Sequence, residues 1–171
     1  MPKLVYSYLL VTLCLLTACG QPADPKQAFK NGDYKTAYEL WLPLAKAGDP
    51  EAQNYLGIQY YLGLGVNRDF KKALEWYQKA AYAGFPDAQR NYGDMFYNGH
   101  AVPQDYYNAF IWYFAASQQG HVTAKLLLER LTDQNKLTPN QQMHAKLEAN
   151  RYILDPEKRF QSHDTYIIDQ E

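Results

Sequence analysis

Between Ala47 and Tyr82 the apolar and polar positions trace two helical stripes in succession. Ala52, Leu56 and Tyr60 recur every fourth residue, which places them on one packed stripe of a first helix. Asp49 stands where an N-cap belongs, Pro50 fits the first turn, and Gly63 suits the left-handed residue just past a helix end. After the loop "GLGVNR", Asp69 caps a second helix whose buried face is Phe70, Ala73, Leu74, Tyr77 and Ala80/Ala81. The stretch predicts a helical hairpin.

The pattern then repeats. "AGDPEAQNYLGIQYYLGLGVNRDFKKALEWYQKAAY", from Ala47, aligns without a gap on "AGFPDAQRNYGDMFYNGHAVPQDYYNAFIWYFAASQ", from Ala83, 36 residues later. Pairs such as Gly48/Gly84, Gln53/Gln89, Gly57/Gly93, Gly63/Gly99, Asp69/Asp105 and Trp76/Trp112 hold register. The matched small residues at 52/88, 57/93, 73/109 and 80/116 let helix backbones approach closely. A third copy opens at Gln119, with Gly120 and Ala124 in phase, and a partial earlier copy survives in "NGDYKTAYELWLPLA" with Asp33 and Ala37 in register. Self-similarity at this period marks an all-α solenoid of stacked hairpins. Trp76 and Trp112 are repeat positions expected in the core, as is Trp41 in the end hairpin. Thr138-Pro139-Asn140-Gln141 has the form of a capping box. It opens a helix from Pro139 to about Ile153, with Ala145, Leu147 and Ile153 turned inward, as the second helix of the third hairpin and a cap on the stack.

These segments resemble the Sel1-like repeat, a relative of the tetratricopeptide repeat, over roughly residues 26–131. The first copy fits almost throughout. The second departs where Ala101 replaces the second loop glycine, Asn91-Tyr92 replaces Tyr55-Leu56, and Ala115 replaces Lys79. The resemblance implies a right-handed superhelical α/α solenoid and says little about task, because such solenoids serve many.

The chain begins differently. Lys3 is followed by an apolar run from Leu4 to Leu16, too short to be a stable transmembrane helix. Leu16-Thr17-Ala18-Cys19 resembles the lipobox of bacterial lipoproteins. That resemblance implies cleavage before Cys19, acylation of Cys19, and stable anchoring in a bilayer. Gly20 after the cysteine, rather than aspartate, resembles lipoproteins sent to the outer membrane, facing the periplasm. The expected organisation is a signal peptide at 1–18, a lipidated tether at 19–25, a solenoid at 26–154 and a tail at 155–171, either a short helix with a tail or a disordered end. Cys14 would leave with the signal, so no intramolecular disulfide is expected. The net charge of −1 becomes −2 without Lys3, which favours neither nucleic acid nor an anionic surface as partner. Sixteen tyrosines and three tryptophans are a heavy aromatic load, good material for a binding surface.

Candidate chemistry is sparse. His100, His121, His144 and His163 show no ligand spacing and read as solvated loop or surface histidines, with no metal or other cofactor implied. Ser117 and Ser162 lack a nucleophile elbow, and Asp33, Asp49, Asp69 and Asp105 serve as caps. No active site is expected. On the first helices, Asn54, Ile58 and Tyr61 lie beside the packed stripe; one repeat on come Arg90, Asp94 and Tyr97, and then Leu126, Arg130 and Asp133. In tetratricopeptide-like stacks such helices line the concave side, so Asn54, Ile58, Tyr61, Arg90, Asp94, Tyr97 and Arg130 are the candidate protein-binding residues. The same side chains would also serve to pack neighbouring hairpins. Two functions fit: a lipid-tethered adaptor for an envelope protein or peptide, or, as some small Sel1-like lipoproteins imply, an immunity protein that blocks a toxic effector. A hydrolase is the third reading, but the paired cysteines of the Sel1-like proteins linked to β-lactams are missing here.

Overall fold

The computed structural model describes residues 24–154. The expected signal peptide, Cys19 and the tail from 155 lie outside the described residues. Eight helices follow one another with no strand between them among the described residues: α1 (Pro25–Lys30), α2 (Tyr34–Lys46), α3 (Pro50–Leu62), α4 (Phe70–Tyr82), α5 (Pro86–Asn98), α6 (Tyr106–Gln118), α7 (Val122–Asp133) and α8 (Pro139–Leu154). Asp24 caps α1 by accepting from Lys26 N–H, so the last two residues of the expected tether belong to the first helix.

The caps follow the repeat. Asp33, Asp49, Asp69 and Asp105 each accept a backbone N–H from the first turn of α2, α3, α4 and α6. At the start of α5 and α7 the register of Asp49 holds Phe85, which makes no side-chain cap, and His121, whose Nδ1 accepts from Ala124 N–H at 3.1 Å. Thr138 and Gln141 form the reciprocal capping box. Gly63 and Gly99 end α3 and α5 in the left-handed conformation.

Packing is set by a glycine facing an aromatic ring. A Cβ on Gly57 would stand 2.5 Å from the Tyr77 ring, and one on Gly93 would stand 2.8 Å from the Tyr113 ring. Each hydrogen therefore makes the seat for the second helix of its own hairpin, α4 on α3 and α6 on α5. Successive hairpins join through α2 on α3, α4 on α5, and α6 on α7. Over the two regular hairpins α3 also touches α5, whereas α4 and α6 make no comparable approach, so the first helices lie on the inside of the curve. The core runs in two clusters. One spans Ala73 to Ala149 and contains Tyr77, Tyr113, Phe110 and Trp112; the other gathers Ala37, Trp41, Ala45, Ala52 and Leu56. Trp41 is buried as expected, stacked on Tyr55 at 4.0 Å.

Several positions differ from expectation, each for a helical reason. Tyr60 is half-buried and Gln59 is buried in its place. A spacing of four advances about 40° past a full turn, so the third member of such a stripe has rotated out. Gln59 Nε2 instead donates to the Tyr34 carbonyl at 2.7 Å. Trp112 is fully buried, but Trp76 is half-buried at the same register, with the Lys79 ammonium 4.5 Å over its ring. Ala145 and Ala149 face the core, but Leu147 does not, since residues two apart lie on opposite sides of a helix. Finally, α8 packs chiefly on α6 rather than on α7, so it is not the regular hairpin partner.

Candidate binding surface on the first helices

The seven candidate residues fall into three environments. Asn54 is only 4% exposed, because Asn91 of α5 lies on it and donates Nδ2–H to its Oδ1 at 2.8 Å. It is a buried link between α3 and α5, not part of a free wall, and it corrects the sequence expectation: here the next first helix covers the column. Ile58, Tyr61, Arg90, Asp94 and Tyr97 are half-buried. Arg130 on α7 is exposed, as are Leu126 and Asp133.

The half-buried residues are held in place by their neighbours. Arg90 Nη1 donates to Asp94 Oδ2 at 2.7 Å within α5, and the Tyr113 hydroxyl donates to the other carboxylate oxygen at 2.6 Å. Burial pushes the Tyr113 hydroxyl far up from its ordinary value, and the adjacent Asp94 carboxylate adds to that. Both effects favour the neutral phenol that donates to Asp94. Tyr61 is raised for the same two reasons, burial first and Asp94 second, and is opposed by Arg90. The Tyr97 ring packs edge-on against Tyr106 at 5.5 Å.

His100 is the residue sequence reasoning missed. It is half-buried, lies flat on Phe70 at 4.6 Å with 3° between the rings, and its Nδ1 is 3.2 Å from the Tyr61 hydroxyl. The loop of one hairpin thus docks on the previous one. In the preceding copy the docking is through backbone: a Cβ on Gly65 would meet the Tyr34 carbonyl carbon at 2.6 Å, and Gln59 bonds the Tyr34 oxygen. Phe70 is Tyr34 moved on by one repeat, so this pairing was the available signal for His100. Where the loop leans on a ring instead of a backbone, Ala101 replaces Gly65 while keeping a left-handed φ of 64°. His121 is not solvated either. With Nδ1 accepting its cap bond, Nε2 carries the proton and donates to Asp87 Oδ1 at 3.0 Å.

Among the described residues no group of three or more His, Cys, Asp and Glu stands where a metal could be held. No described helix is long and apolar enough to cross a membrane. What the first helices offer is a wall of tyrosine, isoleucine and one arginine–aspartate pair, fixed by bonds to the second helices.

Comparison with known proteins places this geometry. The Sel1 repeat family matches residues 50–85 and 86–121, the two regular hairpins. Among solved structures, the chain is similar to a protective antigen of uropathogenic Escherichia coli strains displaying an SLR fold, with a TM-score of 0.69 and 31% identity over 75% of this chain. It is also similar to a Sel1 repeat protein from Oxalobacter formigenes, with a TM-score of 0.62 and 29% identity over 75% of this chain. The chain spans 28% of the first protein and 56% of the second. No curated protein matches it.

Proposed function

This chain carries two Sel1 repeats in a stacked-hairpin solenoid, and from that premise we propose that it is a lipid-tethered scaffold gripping a protein or peptide along its first helices. The observation that carries this reading is the cross-bonded row Tyr61, Arg90, Asp94 and Tyr97, locked by His100, Tyr113 and Tyr106. Side chains already held in one geometry lose little freedom on binding, so their contacts convert efficiently into affinity. Tyrosine and arginine are the residues that anchor protein interfaces most often. Arg130 extends the row onto α7 as an exposed cation. The anchor rests on Leu16-Thr17-Ala18-Cys19: acylated Cys19 would hold the solenoid at the bacterial outer membrane, turned to the periplasm.

Both halves have a test. Cells fed labelled palmitate should incorporate it into the wild-type chain and not into Cys19→Ala. Capture from crosslinked envelopes should recover a partner with wild type and lose it with the combined variant Ile58→Ser, Tyr97→Ala and Arg130→Glu, provided the variant keeps its helical circular dichroism. Undiminished recovery with the folded variant would remove this wall as the binding surface. An envelope protein as partner identifies an adaptor; a secreted toxin silenced by the wild-type chain identifies an immunity protein.

A further inference from the structure

Among the described residues, one end of the stack is uncovered. The column Asn54, Arg90, Leu126 samples the same register in α3, α5 and α7. Cover decreases along it: Asn54 is buried under α5, Arg90 is half-buried, and Leu126 is 58% exposed. Val122, one turn before Leu126, is 71% exposed. A terminal repeat keeps a solenoid soluble by turning a polar face outward. Here the polarity is reversed, with a leucine where the covered copies carry asparagine and arginine. On α8, Met143 and Leu147 form a second apolar pair one turn apart, at 53% and 58% exposed.

We propose that this chain's own residues 160–168, outside the described structure, dock on the Val122–Leu126 face of α7 and close the stack. The segment brings Phe160, Tyr166, Ile167 and Ile168 into a part of the chain with no repeat pattern. Charge favours the match. Residues 155–171 carry five carboxylate side chains and two cations, whereas residues 122–154 carry five cations and three carboxylates. On α7 itself the exposed cations Lys125 and Arg130 stand beside the exposed carboxylates Glu129 and Asp133, so the positive excess lies in the neighbouring residues 134–154, and Asp164 and Asp169 bracket the tyrosine–isoleucine cluster. Reach is sufficient. From Leu154 to Ile167 an extended chain spans about 40 Å, against about 18 Å for the length of α7 and about 24 Å for α8. A segment tethered at that distance also acts at an effective concentration of order millimolar, which a second copy or a free partner must exceed.

The test places the photoreactive residue p-benzoylphenylalanine at position 126 of the full chain, and in a second variant at position 122. Both positions are exposed, and folding is checked by circular dichroism. Irradiation should give a product of monomer mass in which residue 126 is joined to a peptide spanning 160–168. Ile167→Asp with Ile168→Asp should cut that yield about tenfold, in proportion to the lost docked fraction. Three results would overturn the proposal: a product of dimer mass, a crosslink that avoids residues 160–168, or a yield unmoved by the double substitution.

Discussion

The two regular hairpins and the end pair, α7 and α8, pack differently. In α3–α4 and α5–α6 a glycine at the middle of the first helix receives a tyrosine ring from the second. In α7 that register holds Glu129, exposed to solvent. The connecting loop also shortens, from seven residues at 63–69 and 99–105 to five at 134–138. With no seat for a ring, α8 leans on α6 through Ala145 and Ala149 instead of folding onto α7. The glycine seat and the longer loop go together with closure of the second helix on its own partner.

Substitutions at matched positions should expose that contrast. Tyr113→Ala removes a buried ring and the hydroxyl bonded to Asp94, and should cost about 3–5 kcal/mol in denaturant unfolding. Leu147→Ala, in the end hairpin, should change stability by less than about 0.5 kcal/mol, since that side chain faces solvent. Gly93→Ala forces a methyl toward the Tyr113 ring and should lose about 1–3 kcal/mol despite the better helix former. Glu129→Ala, one repeat on, should lie within about 0.5 kcal/mol of wild type. Equal effects at 93 and 129 would break the comparison.

The caps give a smaller separation. Asp105 holds two backbone N–H groups at the start of α6 as well as the Asn108 amide, so Asp105→Ala should cost about 1–2 kcal/mol. Thr138→Ala at the exposed start of α8 should cost about 0.5–1 kcal/mol. Smallest near neutrality is the tyrosine effect. Burial, and then the hydrogen bond with Tyr38, push Tyr60 up to about 12, while Tyr61, Tyr77 and Tyr113 also move upward. A raised value means that the fold favours the neutral phenol. Its stabilisation is complete below the ordinary tyrosine value near 10 and is lost as pH rises through about 12. From neutral pH the melting temperature should be flat up to about 10 and fall above it, with tyrosinate absorbance rising together with unfolding.

The hairpins, their caps and the small residues were legible because backbone constraints leave one or two residue types able to serve. Asp before a first turn, Gly63 past a helix end and Gly57 beneath a ring are such positions. The register of the wall was legible, but the cover over one of its members was not. Asn54 sits on the expected flank but is covered by Asn91, a contact 37 residues away that depends on how tightly hairpins stack. His100 was hidden for a related reason. Its partner Phe70 belongs to the same repeat frame one copy earlier, and a histidine in a loop carries no periodic signal of its own. Trp76 and Trp112 share a register, yet only the second is fully covered, so equal position in the repeat does not give equal burial.

Native-state hydrogen exchange tests the central contrast most directly. If the glycine–ring seats lock the regular hairpins together, the slowest amides of α3, α4, α5 and α6 should exchange at a single rate set by global unfolding, and those of α7 and α8 should open separately and about tenfold faster or more. One common rate across all these helices, or slower exchange in α7 and α8 than in α3 to α6, would contradict it.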